Sequence, residues 1–444
     1  MGKQNIEKFS LIYSTLKIAV KLWQNNIHYR RIIVIGRDNI SRDDYNIFAP
    51  THQNSVMDSL AVIGTSVGQP IFLARSDVFR KGFIEKLLYS FKILPVYRIR
   101  DGFDTLSQND EIFKKTIDAI LNKSGLAIHP EGEHSRYRRL RQLKKGICRI
   151  AFQAEESQNF NLGIKIVPVG LEYTHYQRFR EVLTVVYGKP FGISEFFDVY
   201  KKSPQIAFNQ LRDKISENMK PLMIHIESQE DYEALNELRE IVNGKFSDDR
   251  KNPKFFKDKK LIADMEDLSA NNPELYTDIC NKSLKIKHLA YGLRVGYRQL
   301  CRRKPGLISC LITVLALLVS FPLFIFGFIF NYAFIKIPAL PLSKIKDIMF
   351  HSTVRFVLSL ALAIVLIPLY AILSFILIPV WWISLLTFLS IIPAGLFAWN
   401  YFLTWQKIRE GLRVRRYYIR KNPEFRVLLG TYRELMSDLN KTQK

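Results

Sequence analysis

The chain has 444 residues, room for two or three domain-sized units, and its 48% hydrophobic content is ordinary for a globular protein. Its 65 Lys and Arg against 41 Asp and Glu give a formal charge of +24, which favours an anionic partner: membrane headgroups, nucleic acid, an acidic carrier protein or a phosphorylated substrate. Four cysteines (Cys148, Cys280, Cys301, Cys310) make no CxxC pair and no zinc spacing, as expected of isolated thiols in a reducing compartment. No apolar core follows the first charges, so no secretory signal is read at the N-terminus, and Met1-Gly2 lacks the Ser or Thr of a myristoylation pattern.

From Ile6 to Trp23 the sequence is amphipathic. Ile12, Leu16, Ala19, Val20 and Trp23 can share one helical face, with Lys8, Lys17 and Lys21 around the rest. This pattern fits an interfacial membrane helix and equally a helix packed on its own domain. Strands are then expected at 32–36, 46–50, 71–74, 93–98, 125–129 and 164–169, and helices at 78–91, 111–122 and 145–155. Strands alternating with helices predict an α/β domain, its sheet covered by helices on both faces, over residues 1–203 including the N-terminal helix. Residues 204–305 lose the strand signals and read as a helical extension, with turns at Asn252-Pro253 and Asn272-Pro273.

Two long apolar blocks follow. Gly306 to Ile335 and Phe356 to Trp405 carry no charged residue. A membrane span needs ~20 apolar residues, so the first block is one span, long or kinked, and the second is two, reversing near Pro379-Val380-Trp381-Trp382. Residues 306–405 are therefore a transmembrane helical region of about three helices, and 406–444 a basic tail. Arg302, Arg303 and Lys304 precede this region, and Lys407, Arg409, Arg413, Arg415, Arg416 and Arg420 follow it. The positive-inside rule places both flanks in the cytosol, which needs an even number of spans. Either one block holds a re-entrant piece or one flank lies outside.

Four stretches carry chemistry. In Thr51-His52-Gln53-Asn54-Ser55-Val56-Met57-Asp58, a His at a strand-to-helix junction precedes an Asp by six positions. Acyl transfer to an alcohol needs a base near pKa 7 and a group that fixes its tautomer, and His52 with Asp58 supplies both provided His52 lies ahead of the helix. A surface His near an Asp fits the same residues. Pro95 to Gly102 ends a strand in Arg98 and Arg100, fixed positive charge suited to phosphate, or else two solvated arginines beside Asp101. His129-Pro130-Glu131-Gly132-Glu133-His134-Ser135 is a strand running into a turn, followed by Arg136, Arg138, Arg139, Arg141, Lys144 and Lys145. Gly132 permits a positive φ, Glu131 can accept from a hydroxyl or orient an Arg, and the basic run suits phosphate, anionic lipid or plain solvent. Ile166-Val167-Pro168-Val169-Gly170 reads only as strand and turn.

In this order the four stretches resemble the glycerolipid acyltransferase superfamily, whose members include glycerol-3-phosphate and 1-acylglycerol-3-phosphate (lysophosphatidate) acyltransferases. The resemblance covers about residues 30–190. It implies a glycerolipid-acyltransferase-like α/β fold and a catalytic dyad of His52 and Asp58. It implies acceptor-phosphate binding by Arg98 with Arg100, and a Pro-Glu-Gly motif at Pro130, Glu131 and Gly132. Two departures stand out: five residues separate His52 from Asp58 where four are usual, and Glu133 and His134 replace the usual Thr and Arg, which moves the expected phosphate contact to Arg136 or Arg138. The implied reaction is O-acylation of glycerol-3-phosphate or lysophosphatidate in phospholipid biosynthesis, with acyl-CoA or acyl carrier protein thioester as co-substrate and no cofactor or metal. The tetrahedral oxyanion would meet backbone N–H groups at the start of the helix after His52. The implied partners are membrane lipids and an acyl-CoA or acidic acyl carrier protein. The chain is then an integral membrane protein with its catalytic domain on the cytosolic face.

Two other classes fit parts of the sequence. A non-catalytic lipid-binding relative would not need His52 and Asp58; another lysolipid or an amino-acid lipid would be a different acceptor. Nucleic-acid binding rests on charge alone, lacks a helix-turn-helix, RNA-recognition or zinc signature, and is disfavoured by the apolar blocks.

Overall fold

The structure, a computed structural model, describes residues 8–79, 82–97, 108–244, 253–301 and 307–442. It divides into two units, residues 1–225 with 347–353, and residues 226–346 with 354–444.

In the first unit, short apolar segments form β1 (Arg31–Ile35), β2 (Asn46–Pro50), β3 (Ile71–Arg75), β4 (Ile93–Val96), β5 (Leu126–Ala127), β6 (Lys165–Tyr173), β7 (Val182–Tyr187) and β8 (Phe191–Gly192). They pair as one sheet in the order β1-β7-β6-β2-β5-β3-β4, with β8 beside β6. β2 is central and parallel to both β5 and β6, Pro50 lying opposite Val169. β6 and β7 are antiparallel, so the sheet is mixed. Helices α1 (Leu11–Trp23), α2 (Val56–Thr65), α3 (Phe83–Ser90), α4 (Gln108–Leu121), α5 (Gly146–Glu156), α6 (Phe197–Lys202) and α7 (Pro204–Met219) complete it.

Strand side chains alternate between faces. Ile47, Ile71, Leu94, Leu126 and Ile166 enter a buried core with α4, α5 and α7. Phe48 points the other way, onto the Tyr187 ring, and the Tyr187 hydroxyl meets Thr65 Oγ1 of α2 at 2.8 Å. α1 packs on α2 at that face. The expected α/β sheet with helices on both faces is present. α7, read from sequence as part of the extension, supplies Ala207, Phe208, Leu211, Ile215 and Met219 to the sheet's core, so the α/β unit runs past 203 to His225.

The expected face of α1 is turned inward at Val20 and Trp23, which are buried, and at Leu16 and Ala19, which are half-buried; Ile12 departs from it at 64% exposed, and Tyr13 is buried instead. The Tyr13 hydroxyl donates to the Pro70 carbonyl, and Lys17 Nζ donates to the carbonyls of Ser66 and Gly68 at 3.0 and 2.8 Å. An apolar count misses such polar anchors.

The second unit holds α8 (Tyr232–Asn243), α9 (Lys254–Asn271), α10 (Pro273–Leu293), α11 (Tyr297–Leu300), α12 (Leu307–Val319), α13 (Phe321–Ala339), most of α14 (Phe350–Leu377), α15 (Trp381–Ile419) and α16 (Pro423–Thr442). Among the described residues, three helices are long and apolar enough to cross a membrane: Phe321–Lys344, Phe350–Leu377 and Trp381–Ile419. The first apolar block is two helices, broken at Ser320 beside Pro322, and α12 with 13 residues is short of a full crossing at ~1.5 Å per residue. The second block reverses between Leu377 and Trp381, as its length requires. α13 and α15 pack antiparallel: Phe324 stacks on Tyr401, Asn331 Nδ2 donates to the Ile391 carbonyl at 2.9 Å, and a Cβ at Gly327 would overlap the Ala394 carbonyl. Small residues at that crossing let the two backbones approach, as apolar helices in lipid require. The basic tail is not a loose end: α15 runs unbroken to Ile419, and α16 packs on α10, where Lys282 and Asp438 pair at 2.7 Å.

Candidate active site

The C-terminal ends of β2, β5 and β6 come together, the edge at which α/β sheets bind ligands. Each delivers one part of the site. β2 ends at Pro50 and leads to His52. β5 leads to His129 and the turn through Gly132. β6 ends at Tyr173.

His52 lies ahead of α2, and Asp58 in its first turn. The five intervening residues do not separate them: His52 Nδ1 is 2.9 Å from Asp58 Oδ2. The loop folds back through Ser55 at φ 50°, ψ −133°, an unfavourable conformation for a residue with a Cβ and one that costs on the order of 1–3 kcal/mol. Asp58 is fully buried, and its Oδ2 also accepts the N–H groups of Gln53 and Asn54, each at 2.7 Å. Oδ1 accepts the Tyr173 hydroxyl at 2.8 Å. Burial, with the Asp58 charge beside it, holds the Tyr173 phenol well above its ordinary pKa, so it stays a donor. With so many donors converging on Asp58 its carboxylate is an acceptor throughout. Nδ1 of His52 therefore carries the hydrogen and Nε2 the lone pair. Among the backbone N–H groups near the start of α2, those of Gln53 and Asn54 serve Asp58 and those of Met57 and Asp58 serve the carbonyls of Asn54 and Ser55, which narrows the expected oxyanion donors to Ser55 and Val56.

The β5 turn holds His52 from the other side. Glu131 is buried, and its Oε1 accepts the His52 N–H at 2.8 Å while Oε2 accepts the Arg141 N–H at 3.1 Å. The Ser135 N–H donates to the His52 carbonyl at 3.1 Å. Both Glu131 oxygens are thus engaged with backbone, where the sequence reading has the side chain accept from a hydroxyl or orient an Arg, and they hold the His52 loop in place. Burial raises the Glu131 carboxyl to about 7, against the pull of those two N–H donors. Gly132 turns the chain at φ 74°, where the Lys144 side chain lies close to the position of an added Cβ.

Three imidazoles meet here. His129 stacks on His52 with ring centroids 4.1 Å apart. Its Nδ1 donates to the Pro50 carbonyl at 3.2 Å and its Nε2 faces Ser59 Oγ at 3.0 Å. Burial, with His52 adjacent, lowers His129 to about 3, so it is a neutral plate under the His52 ring. His134 meets His52 edge-on at 5.4 Å.

Of the expected phosphate ligands, Arg98 and Arg100 lie outside the described residues. Arg136 is exposed and lies over the Tyr137 ring at 5.2 Å. Arg138 is a correction: it is buried, its Nε donates to Glu172 Oε1 at 2.7 Å, and a second nitrogen donates to the Tyr173 carbonyl at 2.8 Å. Its charge is neutralised inside the fold. Sequence reasoning missed Tyr173, His129 and Glu172. Tyr173 sits three positions past Gly170 in a stretch that reads only as strand, and its partner lies 115 positions away. His129 alone carried a signal, at the head of the Pro-Glu-Gly motif.

Residues 31–172 match the family model described as Acyltransferase. That segment holds the central strands of the sheet and the His52–Asp58 pair. The chain is 29% identical over 128 residues to glycerol-3-phosphate O-acyltransferase 2 of Saccharomyces cerevisiae, covering 29% of this chain and 17% of that protein. It is 21% identical over 183 residues to glycerol-3-phosphate O-acyltransferase 1 of the same yeast, covering 40% and 24%. The chain thus spans less than a quarter of the length of these curated relatives. The crystal structure of the 1-acyl-sn-glycerophosphate (LPA) acyltransferase PlsC from Thermotoga maritima aligns with 46% of this chain and 77% of that one, at a TM-score of 0.32 and 17% identity. The family match and the yeast relatives support a likeness of residues 31–172 to the glycerolipid acyltransferase superfamily.

Proposed function

We propose that this chain is a membrane-bound O-acyltransferase that moves a fatty acyl group from an acyl-CoA or acyl carrier protein thioester to a hydroxyl of glycerol-3-phosphate or lysophosphatidate. The supporting observation is the His52–Asp58 pair at 2.9 Å, its tautomer set by the donors around Asp58. His52 Nε2 takes the acceptor's hydroxyl proton as that oxygen bonds to the thioester carbonyl carbon. The Nδ1–H stays on Asp58, whose charge steadies the imidazolium. The C–S bond then breaks and the proton on Nε2 passes to the departing sulfur, leaving ester and thiol. In this reading Arg98, Arg100 and Arg136 take the acceptor phosphate. Three apolar helices support work at a bilayer, where acylated acceptors and products reside, and the basic flanks favour the cytosolic face.

The test is turnover by the full chain in vesicles, with each donor against each acceptor. His52→Ala should cost about 10²–10⁴-fold. A folded His52→Ala protein with wild-type turnover ends this reading. Turnover confined to another lysolipid would keep the chemistry and replace the acceptor.

A further inference from the structure

Residues 347–353, the end of the link between two of the long apolar helices and the first turn of α14, belong to the α/β unit. Asp347 Oδ2 accepts from His134 Nε2 at 2.7 Å, a bond between residues 213 positions apart. Phe350 meets the His134 ring edge-on at 5.7 Å, and the Ile348 carbonyl accepts from Gln177 Nε2 at 3.4 Å. Asp347 is itself braced, its Oδ1 accepting the Met349 N–H at 3.0 Å. His134 in turn lies edge-on to His52 and two residues past Gly132, in the turn whose backbone holds His52. A continuous set of contacts therefore joins Asp347 to the base.

We propose that Asp347 and His134 are positioning residues that latch the segment Asp347–Phe350 beside His52 as a wall of the site, and that this wall sets where the acceptor hydroxyl meets the base. The inference rests on the acyltransferase reading above. In sequence the segment lies between two apolar helices. An anionic Asp347 beside the base disfavours the acceptor's phosphate there and leaves that place to its hydroxyl end. The latch is modest in strength: Asp347 is about half exposed, with a relative side-chain area of 47%, and such pairs contribute little by themselves. Its effect is on geometry, through a loop that would otherwise drift from the base.

The experiment uses the full chain in phosphatidylcholine vesicles with acyl-CoA and lysophosphatidate, comparing Asp347→Ala, Asp347→Asn, His134→Ala and the double alanine variant. Each single alanine should raise the acceptor KM about three- to tenfold, a larger factor than its effect on kcat, with the donor KM unmoved. The double variant should be no worse than the weaker single, because one interaction is lost in all three. Asp347→Asn should recover part of the loss, since its amide oxygen still accepts from His134. Amide exchange across 347–353 should speed up in Asp347→Ala. An unchanged acceptor KM, fully additive alanines, or unchanged exchange overturns the proposal. Activity that survives His52→Ala would overturn the functional reading instead, and the exchange result would still decide whether the latch exists.

Discussion

Asp58→Asn separates the charge at the site from its architecture. Oδ2 of Asp58 faces two backbone N–H groups and the His52 Nδ1–H, so an asparagine there must turn its oxygen to that side. Its NH₂ then faces the Tyr173 hydroxyl, which can turn and accept it. The two backbone donors and the His52 Nδ1–H keep their acceptor, while the Tyr173 O–H loses its own. Stability should fall by about 1–3 kcal/mol. Catalysis loses the carboxylate charge: at an effective dielectric near 20, unit charges about 4 Å apart attract by about 4 kcal/mol, so kcat should fall by about 10³-fold. Asp58→Ala, in contrast, leaves the Gln53, Asn54 and Tyr173 donors buried without an acceptor and should cost several kcal/mol of stability, at about 1–3 kcal/mol each. Turnover measured beside a thermal melt in detergent distinguishes the two variants. Near-normal kcat in a folded Asp58→Asn protein, or melting as early as Asp58→Ala, would refute the reasoning.

Arg138→Met should destabilise by about 3–5 kcal/mol, because Glu172 is left buried and unpaired, and Arg138→Met with Glu172→Met should regain much of it. A variant that melts normally but binds acceptor poorly would return Arg138 to the phosphate site. Glu131 supplies a pH signature. Its native pKa of about 7 lies above its ordinary 4.5, so the group favours the folded state below about pH 4.5 and loses that contribution as pH rises through 7. Glu131→Gln cannot titrate, so the melting midpoint of the wild type relative to this variant should decline between those values; a flat difference contradicts the burial argument. The same variant should lower kcat, since one amide oxygen cannot accept both the His52 and Arg141 N–H groups.

Much of this protein is legible in its sequence because the signals are local. Short apolar, β-branched runs such as Ile71–Arg75 and Ile166–Val169, bounded by turn residues, read as strands, and alternation with amphipathic helices makes them one α/β sheet. Fifty uncharged positions from Phe356 to Trp405 exceed what one crossing can use, so the reversal found at 378–380 follows from length alone. His52 and Asp58 lie six positions apart, and their pairing needed only that His52 precede the helix. What the tertiary structure decided are the partnerships across long sequence separation: Tyr173 with Asp58, Glu131 with the His52 backbone, Arg138 with Glu172, and Asp347 with His134. A charged side chain looks the same in sequence whether it is solvated, buried in a pair or waiting for a ligand. Which of these holds depends on which strand ends the sheet order brings together, and that order is set by packing over the whole unit.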